Sequence, residues 1–314
     1  IIKIDARGSS QCAIDTNGGL WVWGYNYYGQ LGDSTKTNCY VPKKLSGFSN
    51  CSMVSVGAQH TLALKNDNTI WSWGNNASGQ LGDCSRLVSA TPVKAINLTN
   101  INEISSFGAL KSDGTVWTWG DNFDGQLGDG TKISRGTPES VNITDIIDLD
   151  TRDNNILMLK ANGTVWGCGN NYYGQVGDGT TTTRTLPVQV DNLSAVKSVA
   201  VCGSHALAIK QDGTVWSWGN NYCGQLGDGT TNRRSRPVKI SNLLDVKEIA
   251  GGASHSMALK TDGTVWTWGY NLYGTLGDGT NTNKLTPVKV QGLSDIIAMS
   301  SDYYHNIALK SDGT

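Results

Sequence analysis

Proline is scarce, with 6 copies in 314 residues, while glycine is abundant at 39. Disordered linkers are usually rich in both, so this pairing excludes one and points to a folded chain with many tight backbone positions. No apolar run approaches the ~18 residues of a membrane-crossing helix. The opening Ile1-Ile2-Lys3 matches neither a signal nor a transit peptide, and the numbering is expected to start inside a longer or processed chain. An excess of either charge is missing as well: 25 Lys and Arg face 26 Asp and Glu, a net charge of −1. That removes any global attraction to nucleic acid or to an anionic membrane. The seven cysteines are odd in number and form no C-x-x-C pair, which argues against a disulfide framework and a zinc module. Only three glutamates are present, Glu103, Glu139 and Glu248, and no unique Ser/His/Asp or Cys/His set stands out.

What the sequence has is repetition. The eleven tryptophans all fall in a W-x-W-G motif or its degenerate form Trp166-Gly167-Cys168-Gly169, at spacings of 50, 46, 49, 50 and 50 residues. All six prolines occupy one equivalent position, and all four histidines occupy another. One unit is copied along the chain, the signature of a repeat architecture.

The fifth copy shows the unit clearly. Ser204 to Lys210 alternates small and large apolar residues, as expected of a strand buried on both faces. Gln211-Asp212-Gly213-Thr214 is a hairpin turn, because Asp-Gly tolerates the positive φ that the turn needs. Val215-Trp216-Ser217-Trp218 places both indoles on one face of a second strand. A glycine-rich loop follows, then a strand near Pro237, where proline suits an edge, and then Val246–Ala250, leading into the next copy. Helical periodicity is absent. Four short strands per copy of about 50 residues predict an all-β propeller blade, with a linear β-solenoid as the competing layout.

The consensus A-L-K-x-D-G-T-V-W-x-W-G-x-N-x-x-G-Q-L-G-D-G-T resembles the repeat of the RCC1-type (regulator of chromosome condensation) propellers, over the whole chain. The resemblance implies seven blades and is expected to mark a bacterial member. Residues 1–314 are read as one propeller of six complete repeats plus the first strand pair of a seventh, because the chain given stops at Thr314 in the seventh hairpin turn. A six-bladed ring with overlapping ends is the lesser option.

Candidate functions follow by elimination. The Asp of each G-D step and the Asn five residues before each Leu or Val of G-Q-L-G recur in six copies, whereas catalysis uses a unique constellation. They are read as turn formers, the Asn through Asx turns. Histidines 60, 205, 255 and 305 have Gln11 and Asn155 as equivalents, so hydrogen bonding is the shared need rather than basicity. No cofactor, metal site or catalytic residue is expected. Recognition is assigned to the variable loops after G-D-G-T, where basic residues recur: Lys36, Arg86, Lys132, Arg135, Arg184 and the cluster Arg233, Arg234 and Arg236. Eight of the eleven tyrosines lie just after W-x-W-G. Of these Tyr28, Tyr173 and Tyr273 are expected to pack between blades, and Tyr27, Tyr172 and Tyr222 to be binding candidates. A second variable set precedes the histidines and is placed on the opposite rim or near the channel. The third copy is four residues short there, making a candidate notch.

The reading is a non-enzymatic scaffold binding a protein partner, extracellular or at the cell surface rather than cytoplasmic. A secreted enzyme inhibitor or a glycan-binding surface module is the alternative; nucleic acid is not expected. The resemblance also brings guanine-nucleotide exchange and ultraviolet sensing into view. Repeat spacings of 46 to 50 residues leave no room for an inserted exchange wedge. The tryptophans needed for photochemistry are replaced by Ala58, Gly203, Ala253 and Tyr303.

Overall fold

The computed structural model describes residues 1–314 and contains 26 β-strands and no helix. Six antiparallel four-stranded sheets span residues 3–44, 51–94, 101–140, 146–189, 196–239 and 246–289, and a two-stranded sheet spans 296–310. These are blades 1 to 7. In blade 5 the strands run Val196–Val201, His205–Lys210, Val215–Gly219 and Arg234–Lys239, in sequence order from the axis outward. The segment read from sequence as the fourth strand of a repeat is therefore the innermost strand of the next blade. The outer strand begins at Arg234, three residues before Pro237, and proline is tolerated because no further strand pairs with that edge.

The seven innermost strands touch their neighbours in a closed circle, the first against the last. Hydrogen bonds join the first and last of these blades. Ala6 N–H donates to Ser300 Oγ at 3.0 Å, Ser300 donates to Asp5 at 3.0 Å, and Gln11 meets the His305 ring at 2.9 Å.

The alternation of small and large residues has a packing reason. In the second strand of blade 5, Ala206 and Ala208 share a face with Trp218 and pack toward Leu157, Leu159 and Val165 of blade 4. Leu207 and Ile209 face the other way, toward Ala258 and Trp268 of blade 6. The gaps ahead of blades 2, 3, 5 and 6 thus join a tryptophan face, with small residues making room, to a leucine and isoleucine face, while ahead of blade 4 the larger Ile156 and Met158 fill the space left by Cys168. Trp73, Trp119, Trp218 and Trp268 are fully buried. Their indole N–H groups donate at 2.8–2.9 Å to the carbonyls of Gln30, Gln80, Gln175 and Gln225, one blade earlier. The following glycine is obligatory: at Gly177, with φ +84°, an added Cβ would lie 2.7 Å from the Trp218 indole nitrogen.

Two arginines cross the channel. Arg7 on the inner strand of blade 1 reaches Asp150 at 3.5 Å, Ser106 at 3.2 Å and the Thr151 carbonyl. Arg152 of blade 4, 2% exposed, reaches Asp302 at 3.1 Å and the Gly251 carbonyl at 2.5 Å. The two guanidinium groups tie blades on opposite sides of the ring across the channel.

Candidate functional site

In an antiparallel four-stranded blade, the first turn and the third loop leave at the same end. The short turns before the histidines and the long loops after W-x-W-G therefore share one face. Backbone bonds join the two sets at 2.9 Å: Tyr25 N to Ser9 O, Asn170 N to Asn154 O, Asn220 N to Ser204 O. The turns do not occupy the opposite rim; they surround the channel mouth, inside the ring of variable loops.

Each long loop is organised by its asparagine. Asn221, fully buried, accepts from Leu226 N–H at 3.0 Å and donates to Asp228 at 3.1 Å and to the carbonyls of Thr230 and Asn232 at 3.0 Å. The asparagines are hubs spanning the loop rather than Asx turns ahead of a glycine. Asp228 in turn accepts from Thr230 N–H at 3.0 Å and from Arg234 at 2.9 Å. Arg184 with Asp178 at 2.6 Å and Lys284 with Asp278 at 3.2 Å repeat that pair, and Arg135 with Asp129 does so in blade 3. In four of these loops a basic residue neutralises the aspartate of its own blade.

The proposed basic residues consequently divide. Arg135, Arg184 and Arg234 are clamped within their blades. Arg236 is held by Asp191 at 2.5 Å on the side of blade 4. Arg86 bridges blades 2 and 3 through the carbonyls of Ala77 and Ser134. Lys36, Lys132 and Arg233 are exposed without a carboxylate partner, and Arg233 bonds only the Tyr172 carbonyl, at 3.4 Å.

The structure gathers the tyrosines. Tyr172 packs edge-on against Tyr173 at 4.9 Å between centroids, and Tyr173 against Tyr222 at 5.9 Å. Tyr172 and Tyr222 are 66% and 63% exposed. With Arg233 they form one patch where blades 4 and 5 meet. Tyr25, Tyr27 and Tyr28 cluster on blade 1, and Tyr270, Tyr273, Tyr303 and Tyr304 on blades 6 and 7. Tyr28 and Tyr173 are half-buried as expected of packing residues, whereas Tyr273 is exposed. Phe123 and Leu272 were not singled out from sequence. They occupy the position of Tyr27, Tyr172 and Tyr222 and are 80% and 60% exposed. Comparing that one position across six copies, rather than looking for tyrosine, is the signal that finds them.

Inside this rim lies a bowl of about 630 Å³. It is lined by the shortened hairpin of blade 3, Ser106 and Phe107, by His60, and by Tyr173 and Tyr303. The notch read from the short third copy is this bowl. Amides of Gln59, Gln80, Asn154, Asn155, Asn170 and Gln175 and the carboxylates of Asp121 and Asp153 complete it, and no Lys or Arg lines it.

The histidines are links between blades. His60 donates to the Ser106 carbonyl at 2.6 Å, His205 meets Ser256 at 2.8 Å, and His255 donates to Asn306 at 2.8 Å. Burial lowers their pKa values to about 4, about 3 and about 4 respectively. Each is a neutral connector, poorly suited to general base work near neutrality. No three His, Cys, Asp or Glu side chains converge in a metal-binding arrangement.

Known proteins share this architecture. The model of the RCC1-like domain matches residues 105–314, two thirds of the chain, and the regulator of chromosome condensation (RCC1) repeat matches residues 17–64 and 54–80. The ultraviolet-B receptor UVR8 of Arabidopsis thaliana is 39% identical over 69 residues, 21% of this chain and only 16% of the receptor. Human WBSCR16 superposes with a TM-score of 0.87 at 22% identity, covering 97% of this chain and 85% of that one. Prp20p of Saccharomyces cerevisiae superposes at 0.86 with 20% identity, covering 98% and 81%. At such identities the structures speak for the fold alone, a propeller of this kind. With the repeat, the seven-fold ring and the match over two thirds of its length, the chain belongs to the RCC1-like domain family of β-propellers.

Proposed function

We propose that this chain is a non-enzymatic binding module that docks a protein partner on its loop face, with Tyr172, Tyr173, Tyr222 and Arg233 at the centre of the contact. The supporting observation is composition at one place. Three contacting tyrosines, two of them more than 60% exposed, stand beside an arginine with no carboxylate partner. Tyrosine and arginine are the residues that dominate binding energy at protein interfaces. Tyrosine offers a large contact area for two side-chain torsions, and the surrounding Ser, Asn and Gly supply adaptable hydrogen bonds, the chemistry of antibody loops. Among structural relatives, Prp20p has been described with binding properties toward Gsp1p and histones, and with Kap60 bound.

The test is affinity capture by the purified propeller beside the variant Tyr172→Ala/Tyr222→Ala/Arg233→Ser, read by mass spectrometry and followed by titration of the captured protein. The variant is expected to keep its melting temperature and to lose at least tenfold in affinity. Equal retention of the same partner by both proteins would remove the patch from the interface.

A further inference from the structure

We propose that the bowl at the channel mouth is a binding site for an uncharged oligosaccharide, adjoining the protein-docking patch on its rim and sharing only Tyr173 with it. The volume of about 630 Å³ lies inside the ~300–1,000 Å³ range of small-ligand sites. Its lining is unusual, since only four of seventeen residues are hydrophobic. A lipid or a drug-like apolar ligand would leave this polar surface desolvated and unpaired, at a cost in binding. Phosphorylated, sulfated or carboxylated ligands meet Asp121 and Asp153 with no cation among the lining residues, and His60 is held neutral by burial, its pKa lowered to about 4.

What the bowl offers is a preorganised set of donors and acceptors. Five of the six amides are anchored at one end and free of protein partners at the other, while Gln175 uses both ends, accepting from Tyr173 N–H and donating to Asn170, each at 2.9 Å. Gln59 accepts from Asn75 at 2.6 Å through Oε1, leaving Nε2. Gln80 accepts from Ser78 N–H at 2.9 Å and likewise leaves Nε2. Asn170 accepts at Oδ1 from Tyr172 N–H at 3.1 Å and from Gln175 at 2.9 Å, leaving Nδ2. Asn155 donates to the Asn170 carbonyl at 2.6 Å, leaving Oδ1 as an acceptor. Asp153 adds acceptor oxygens, approached only by Arg152 at 4.0 Å. Mixed donors and acceptors held in place fit a ligand whose hydroxyl groups both donate and accept. The rings of Tyr173 and Tyr303 provide flat apolar surfaces for the C–H faces of sugar rings.

The experiment is a glycan array probed with the purified chain, followed by calorimetry on the strongest hits. Parent protein is expected to bind neutral glycans of two or more sugars and to ignore their sulfated and sialylated counterparts. Asp153→Asn and Gln59→Ala, each with an unchanged melting temperature, are expected to weaken binding at least tenfold. Tyr222→Ala, on the rim, is expected to leave glycan binding within twofold while reducing capture of a protein partner, so the two readings fail separately. Binding to no glycan, preference for anionic glycans, or equal affinity in the two bowl variants overturns the proposal. Binding of a peptide array that is lost in Asp153→Asn, with no glycan bound, also overturns it and gives the bowl to a partner's side chain.

Discussion

Replacing the three arginines of the blade 5 loop one at a time separates recognition from scaffold. Arg234 makes two bonds to Asp228, at 3.0 and 2.9 Å, and the Asp228 side chain is 8% exposed. Hydrogen bonds to charged groups contribute ~1.5–3 kcal/mol each when sheltered. The Arg234 side chain is 37% exposed, so solvent screening brings the pair toward the ~0.2–1 kcal/mol of surface ion pairs. An intermediate loss of ~1 kcal/mol is expected for Arg234→Ser, a fall of ~2–4 °C in melting temperature. Arg233→Ser, which surrenders only one 3.4 Å bond to a carbonyl, is expected to melt within ~1 °C of the parent. Arg236→Ser, whose side chain is 60% exposed beside Asp191, falls between them. Bonds from Thr230 and Arg234 hold Asp228 below its ordinary pKa despite an opposing cost of burial. A carboxylate lowered on folding gives stability above its unfolded pKa that is lost as pH falls. The gap between parent and Arg234→Ser should therefore shrink as melts are repeated from pH 7 toward pH 3. If Arg233→Ser melts lowest, or if the Arg234 gap is independent of pH, the division of these arginines into free and clamped is wrong.

Other outcomes are equally specific. Trp218→Ala removes a fully buried indole and its bond to Gln175 and should cost ~3–5 kcal/mol in chemical denaturation; Trp23→Ala, half-buried and facing the incomplete blade, should cost clearly less. Arg152→Ala leaves Asp302, 1% exposed, as an unpaired buried charge, with an expected loss of ~3–5 kcal/mol that Arg152→Met/Asp302→Leu partly recovers. Burial lowers His205 to about 3 and His255 to about 4, so the folded state resists their protonation and loses stability as pH falls below ~6.5. His205→Gln, using the residue the chain itself places at Gln11, should flatten that acid limb in melts from pH 7 to pH 4. Glu103 behaves oppositely: burial first, then the charges of Asp148 and Asp150, raise it to about 8. Stability linked to Glu103 is present at low pH and lost as pH rises toward 8, and Glu103→Gln should remove that decline.

Most of the fold is legible in the sequence because a propeller blade is local. Strand, Asp-Gly turn and W-x-W-G strand are adjacent in the chain, so period-two alternation and turn chemistry locate them. Repetition then exposes which positions are structural: the aspartates and asparagines present in all six loops, and the histidines present in four of seven copies, serve the scaffold, and the structure uses them so. The roles given to particular side chains were less legible. That the asparagine spans its loop, or that Arg234 answers Asp228 while Arg233 answers nothing, depends on loop path, and a list of basic residues carries no information about which are neutralised.

The sequence by itself determined the unit and the all-β class, because each follows from contacts within one copy or between identical neighbours; it left six blades open beside seven, and the closed circle of seven inner strands decided the count. Tertiary structure decided what the copies do together. Antiparallel pairing put the short turns and the long loops on one face, joining Tyr172, Tyr173, Tyr222 and Arg233 from two blades. The four-residue shortening of blade 3 became a bowl because blades 2, 4, 5 and 7 keep their height around it. Arg7 and Arg152, unremarkable in sequence, link blades across the channel only because the ring brings distant blades within reach of one side chain.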